Sequence, residues 1–207
     1  MQDVLQKLQD PEMIAELSRS TGVSEEDIKK IAALGIPSLV EGMNQNANDE
    51  EAAKSLGTAL DDHEDEDLSD NQALRERYLD KGEGNRIIDH IFPSKKKNVE
   101  EDIAERTGTS SQGVNKVLSI LAPLVLASMA SNWSKKKKEE QVQQRYDTNQ
   151  KPQYRPEDIR DITMRTKRQT QQQADNPLID IAKDVFNSSR KKQSGGILDD
   201  LLGGLFK

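Results

Sequence analysis

An internal repeat is the feature that most constrains how this chain can fold. When the sequence is shifted by 86 residues, residues 13–46 align without a gap on residues 99–132. Seven aligned positions are identical, namely Thr21/Thr107, Gly22/Gly108, Ser24/Ser110, Lys30/Lys116, Pro37/Pro123, Met43/Met129 and Asn46/Asn132. Apolar positions also coincide at helical spacing, so the alignment predicts two copies of one helical unit packed about a pseudo-twofold axis.

Each copy carries the residues of a helix-turn-helix-like unit. The glycine at its centre can take the positive φ of a tight turn, and the serine two residues later can cap the following helix. The proline further on predicts a kink or a new helix start, which gives three helical pieces per unit. Asp49 and Ser69 predict N-caps of two more helices between the copies. No strand pattern is present, so we predict an all-α, multi-helical bundle whose buried centre lies around Pro123.

Charge and composition divide the chain. Only 33% of the residues are hydrophobic and 3% aromatic, too few for one core to include all 207 residues. Residues 1–133 have a net charge of −12, whereas residues 134–193 have +6. We therefore predict a helical domain over 1–133, a basic, Gln-rich flexible linker over 134–175 and two short amphipathic docking helices over 176–207. Within the linker, "PEDIRDITMRTKRQ" predicts a helix.

The two C-terminal docking helices make the arm a candidate binding element. Each has apolar side chains on one face, which water solvates poorly, so each face is expected to dock on another surface. The predicted partner-binding residues are Leu178, Ile181, Val185 and Phe186 in the first helix, and Leu198, Leu201, Leu202, Leu205 and Phe206 in the second. Because Asp199 and Asp200 disfavour an anionic membrane surface, we expect a protein surface, on a partner or on the chain itself.

The region between Gly82 and Met129 resembles the bacterial domain-of-unknown-function family 937, the YidB-like proteins. Positions that match the family pattern are Gly82, Gly84, Ile88, His90, Ile91, Phe92, Gly108, Leu118, Leu121, Ala122, Pro123, Leu124 and Val125. Pro93 departs from it, because the family tends to have glycine there. The resemblance covers about residues 1–133 and implies a small all-helical bacterial domain, without implying a reaction.

No catalytic, metal or cofactor site is evident in the sequence. The chain has no cysteine, which excludes disulfides and thiolate metal sites. The acidic run around His63 is predicted to be a solvated linker, His90 to have a helix-terminal or packing role, and "KGEGN" to be ordinary helix punctuation. We predict no enzyme activity, no cofactor and no small-molecule ligand.

The N-terminal residues lack the pattern of a signal peptide, and the apolar run 117–130 is shorter than a membrane span. We therefore predict no transmembrane segment and a cytoplasmic protein.

Two functions remain after these exclusions. The first is a cytoplasmic interaction or scaffolding protein whose arm captures a protein partner or a second copy. The second, ranked lower because the domain is acidic, is a nucleic-acid-associated protein that uses its helix-turn-helix-like units for weak base contacts and a basic arm for phosphate contacts. Its predicted contact residues are Gln112, Asn115, Lys116, Lys135, Lys136, Lys137 and Lys138.

Overall fold

Helices account for nearly all of the chain that the structure, a computed structural model, describes: residues 4, 8, 10–63, 81–144 and 156–172. In chain order they are α1 (Pro11–Thr21), α2 (Glu25–Asn46), α3 (Glu50–Asp62), α4 (Lys81–Ile91), α5 (Lys96–Thr107), α6 (Ser111–Gln144) and α7 (Pro156–Gln172). These ranges contain no strand, and the predicted all-α fold is confirmed.

Side-chain caps start several of these helices where the sequence predicts them. The Ser24 side chain accepts a hydrogen bond from the backbone N–H of Asp27, 3.1 Å away. Asp49 accepts one from Ala52 at 2.9 Å, and Ser110 accepts one from Gly113 at 3.0 Å. Each bond satisfies an N–H group that has no partner within its own helix, so these three predicted N-caps are confirmed.

The two predicted turns have the same backbone geometry. Gly22 has φ 70° and ψ 19°, and Gly108 has φ 70° and ψ 20°. In both, the glycine N–H donates to a carbonyl of the preceding helix, that of Ser18 or Ala104. Positive φ at each turn is the reason for glycine there. The duplication of the whole unit stays a prediction.

Both repeat prolines lie inside continuous helices. Pro37 is within α2 and Pro123 within α6, so each unit has two helices rather than the three pieces that the sequence predicts. A proline inside a helix removes one hydrogen bond and costs about 3 kcal/mol. The side chains on either side of Pro37, such as Leu34 and Leu39, are fully buried. This burial offsets the missing bond and keeps the helix continuous.

α6 lies at the centre of the bundle. It packs against α2, α4 and α5, and the apolar side chains at 120–126 are at most 4% exposed. The predicted buried centre around Pro123 is therefore confirmed. By length and composition alone, Ser111–Ser134 could cross a membrane, but 89% of its apolar window is buried inside the protein. The core helices of many proteins outside membranes meet the same criterion, so the finding does not identify a span.

α7 belongs to the C-terminal arm and packs on the bundle, against α2, α3 and α6. Ile159 and Ile162 are buried on its inner face. Between them, Arg160 donates from Nε to the carbonyl of Ala47 at 2.9 Å and from Nη2 to that of Asn48 at 3.2 Å. These carbonyls follow the C-terminal end of α2, where a cation is favoured.

Two polar contacts further along α7 continue this attachment. The Thr163 hydroxyl lies 3.3 Å from Asn44 Oδ1, and Lys167 Nζ lies 2.8 Å from Glu41 Oε2. Within the linker predicted over 134–175, the structure describes residues 134–144 and 156–172, and these are helical. α6 continues past Ser134 to Gln144, and the predicted helix in "PEDIRDITMRTKRQ" is docked on α2. The periodicity of α7 predicts its helix but does not show that α2 offers it a partner.

Candidate functional site

A groove between α3 and α4 is the candidate site in the described part of the chain. Its volume is about 390 Å³. We call it the α3–α4 groove, and its lining residues are Met43, Asn46, Ala52, Ser55, Leu56, Thr58, Ala59, Asp62, Glu83, Arg86, Ile87, His90, Ile91 and Leu126. Volumes of this size are typical of sites that bind small ligands or a few side chains of a partner.

Two contacts fix the direction of the helices that form the groove. Asn46, at the end of α2, donates from Nδ2 to the carbonyls of His90 and Ile91 at 3.0 and 3.1 Å. At the other end, Nε2 of His63 lies 3.6 Å from Oε1 of Glu83. The start of α3 is thus near the end of α4, and the end of α3 is near the start of α4. The two helices run antiparallel along the groove.

The inner surface of the groove is apolar and partly open to solvent. Leu56, Ala59 and Ile87 pack against the core but are only partly buried, unlike the sealed side chains around α6. Leu126 and Met43 lie beneath them as fully buried core residues that reach the groove lining. The groove therefore offers apolar contacts to a further group without rearrangement of the core.

The groove is lined by side chains of opposite charge. Asp62 and Glu83 lie at the end where α3 finishes and α4 begins. Arg86 lies one turn further along α4 than Glu83, and His90 lies one turn beyond Arg86, near the other end; both are exposed. His90 Nδ1 is 2.8 Å from the carbonyl of Arg86. The groove therefore has an acidic end that favours cations, and Arg86 provides a positive charge one turn further along α4.

Two glycines allow close packing of the helices around the groove. A Cβ built on Gly84 would overlap the backbone carbonyl of Ser119, so α4 and α6 meet backbone to backbone. A Cβ on Gly42 would lie 2.6 Å from Cε1 of Phe92. The interpretation of "KGEGN" as helix punctuation is wrong, because Gly84 lies inside α4 at a contact where only glycine fits. The location of Gly84 inside an amphipathic helix is the sequence feature that could have predicted a packing role.

His63 is a second correction. The sequence predicts a solvated acidic linker around it, but His63 is 4% exposed and lies beside Glu83. Its ring is buried because α3 continues to Asp62 and brings it against the start of α4. His90, by contrast, is exposed in the last turn of α4, consistent with the helix-terminal role predicted for it.

The predicted nucleic-acid contacts are only partly available in the structure. Gln112 is exposed. Asn115 donates to Glu100 Oε1 at 2.7 Å and to Asn85 Oδ1 at 3.2 Å, and Lys116 donates to the carbonyl of Thr21 at 2.9 Å. Asn115 and Lys116 are therefore used in contacts within the bundle. For Lys135, Lys136, Lys137 and Lys138 the structure gives the helical backbone of α6 but no side-chain surroundings.

The predicted partner-binding residues, Leu178, Ile181, Val185, Phe186, Leu198, Leu201, Leu202, Leu205 and Phe206, all lie outside the described residues. The predicted N-cap Ser69 also lies outside them. Within the described ranges, no group of three or more His, Asp and Glu side chains could hold a metal ion.

Comparison with known proteins identifies a family. Residues 3–132 match the model of the family described as bacterial protein of unknown function (DUF937). Neither a curated protein nor a solved structure gives a match. The finer resemblance to YidB-like proteins stays a prediction. The matched region runs from before α1 into α6 and includes both turns and the α3–α4 groove. Since it covers more than half of the chain, the protein belongs to the DUF937 family.

Proposed function

We propose that this is a non-enzymatic interaction or scaffolding protein of the bacterial cytoplasm, whose C-terminal arm captures a protein partner or a second copy of the chain. The observation that supports this most directly is the docking of α7. An amphipathic segment of the arm, with two buried isoleucines and one arginine, attaches to the helical surface of α2 and α3. The arm thus contains at least one element that acts by docking on helices.

The remaining apolar segments of the arm extend this reasoning. Segment 178–186 and segment 197–206 each have more large apolar side chains at helical spacing than α7 buries. Burial of apolar surface contributes about 25 cal/mol per Å², so several leucines and a phenylalanine contribute several kcal/mol. These segments therefore have a stronger drive to dock than α7 has, and Asp199 and Asp200 favour a protein over an anionic membrane.

The test compares the full chain with a variant that lacks residues 195–207. We expect deletion to change the oligomeric state measured by light scattering, or to abolish recovery of a defined co-purifying protein. Leu201→Asp with Leu202→Asp should reproduce the deletion, because it removes the apolar face. Lys191→Gln with Lys192→Gln is the matched control and should behave as the full chain. An unchanged oligomeric state and an unchanged set of bound proteins after deletion would contradict the proposal.

Nucleic-acid association is the second candidate, favoured by the exposure of Gln112 and by the basic residues that follow Ser134. It ranks lower because Asn115 and Lys116 are engaged within the bundle. Fluorescence anisotropy with duplex DNA at moderate salt tests it. Binding that is lost when Lys135–Lys138 become glutamine would support this function. No binding at low salt would exclude it.

A further inference from the structure

We propose that the α3–α4 groove binds segment 197–206 of the same chain. This inference rests on the proposed function, in which that segment is a docking element. It identifies the surface that binds the segment before a partner does. A partner would then have to compete with the groove. The chain would regulate its own binding segment.

The apolar surfaces of the two elements correspond. The groove presents Leu56, Ala59 and Ile87 as partly open side chains above the buried Met43 and Leu126. Segment 197–206 offers an apolar face that consists of Ile197, Leu198, Leu201, Leu202, Leu205 and Phe206. A groove of about 390 Å³ between two antiparallel helices accommodates a few such side chains from one face of a third helical element.

The charges of the two elements are complementary when the segment lies along the groove. Asp199 and Asp200 are near one end of the segment, and Lys207 follows its other end. The groove has Asp62 and Glu83 at one end, and Arg86 lies one turn further along α4. One orientation therefore brings the two aspartates toward Arg86 and the lysine to the two acids. The reverse orientation brings like charges together, so the charges select a single direction.

The length of the connecting chain permits this contact. α7 ends at Gln172 and packs against α3, which is one wall of the groove. Twenty-four residues separate Gln172 from Ile197, and a chain of that length can reach at most about 80 Å. α3 has 13 residues and is therefore about 20 Å long. A tether of this length gives an effective concentration of roughly millimolar, which favours the chain's own segment over that of a second copy.

Cysteine cross-linking of the full-length chain tests the inference, because the natural sequence has no cysteine. One double variant combines Ser55→Cys, which is exposed in the groove lining, with Leu202→Cys. The matched control combines Lys54→Cys with Leu202→Cys. Lys54 is also exposed and precedes Ser55 on α3, but it does not line the groove. With a short bis-maleimide, we expect the Ser55 pair to form an intramolecular link about tenfold faster than the Lys54 pair.

Several results would overturn the inference. Equal rates for the two pairs would mean that the segment meets α3 only by random encounter. A faster reaction of Ser55→Cys with Phe186→Cys than with Leu202→Cys would assign the groove to segment 178–186. A covalent dimer as the main product, detected by intact mass, would assign it to a second copy.

A charge exchange gives an independent check and leaves the apolar contacts intact. Arg86→Glu should slow the Ser55–Leu202 cross-link, and adding Asp199→Lys with Asp200→Lys should restore its rate. Failure of the second change to restore the rate would overturn the proposed orientation. Cross-linking reports on the groove, whereas deletion of 195–207 reports on partner capture, so either proposal can fail while the other stands.

Discussion

The α1–α2 turn and the α5–α6 turn are alike within the turn and differ just beyond it. In both, glycine has φ 70°, and the threonine before it donates from its hydroxyl to a carbonyl one turn earlier. Thr21 donates to Leu17 at 2.6 Å, and Thr107 donates to Ile103 at 2.7 Å. The same few residues therefore produce the same local backbone in two different surroundings.

The difference lies in the lysine that both copies share. Lys30 forms an ion pair with Glu26 at 2.7 Å on the same helix. Its counterpart Lys116 has Gln112 at the position equivalent to Glu26, and it donates to the carbonyl of Thr21 in the other turn. The amide at position 112 thus removes from the second copy the ion pair that Glu26 forms with Lys30 in the first. The turn residues therefore determine the same local geometry in both copies, whereas the ion pair one turn before the lysine is specific to the first.

The largest loss of stability should come from a substitution in α4, the helix that packs closely against α6. Gly84→Ala places a methyl group on the Ser119 carbonyl, so the backbone of one of the two helices must move. We therefore expect the free energy of unfolding to fall by more than about 3 kcal/mol. Urea denaturation measures it. Gly82→Ala is the control, because Gly82 is exposed in the same helix and alanine favours helix. Comparable losses in the two variants would contradict the close backbone contact.

A smaller effect should follow from loss of the contact between α6 and the α1–α2 turn. Lys116→Met removes the charged donor to Thr21 and should lower the free energy of unfolding by about 1.5 kcal/mol. Lys54→Met, at an exposed position on α3, should change it by less than about 0.5 kcal/mol. Denaturation of both variants makes the comparison. If the Lys116 variant were as stable as the natural chain, the hydrogen bond to the Thr21 carbonyl would contribute nothing measurable to stability.

The similarity of the turns predicts equal losses at their glycines. Gly22→Ala and Gly108→Ala should each cost about 1 kcal/mol, because both glycines have positive φ and a Cβ would meet no atom within 4 Å at either position. Asparagine should cost less than alanine at both positions, since it tolerates this conformation better. Thermal unfolding of the four variants gives the measurement. Clearly unequal losses for the two alanine variants would contradict the similarity of the turns.

The smallest effect concerns pH and is specific to the first copy. The hydrogen bond from Lys30, and then its charge, lower the pKa of the Glu26 carboxyl below its ordinary value of 4.5. A lowered pKa stabilises the fold above the unfolded-state pKa, and this contribution is lost as pH falls through the folded-state value. Glu26→Gln should therefore reduce the acid-side decrease in stability slightly. Unfolding followed between pH 7 and pH 3 tests this, and Glu25→Gln is the matched control.

The sequence predicts the parts of this fold that depend on nearby residues. The caps Ser24, Asp49 and Ser110 and the turn glycines act within a few residues, and the buried segment around Pro123 is visible as a nearly continuous apolar surface. The contact of Gly84 with Ser119 joins residues 35 positions apart, and that of Arg160 with Ala47 joins residues 113 apart. Such contacts depend on how helices cross, which periodicity does not specify.

The candidate site was harder to predict than the fold for the same reason. The α3–α4 groove combines residues from four helices, none of which forms a recognisable motif. Asn115 is polar and lies on the second helix of a turn, so it resembles a DNA-contacting residue in the sequence. In the structure Glu100 and Asn85 accept its hydrogen bonds. Only the folded arrangement shows that its amide already has partners.

The attachment of α7 through Arg160 has a consequence for divergence among relatives. Arg160 binds main-chain carbonyls of Ala47 and Asn48, and every amino acid supplies such a carbonyl. Mutations at these two positions can therefore accumulate without loss of the attachment, as long as α2 ends at the same place. Insertion or deletion of a single residue before Ala47 would instead move both carbonyls. Relatives should therefore tolerate substitutions at these two positions far more readily than insertions or deletions before them.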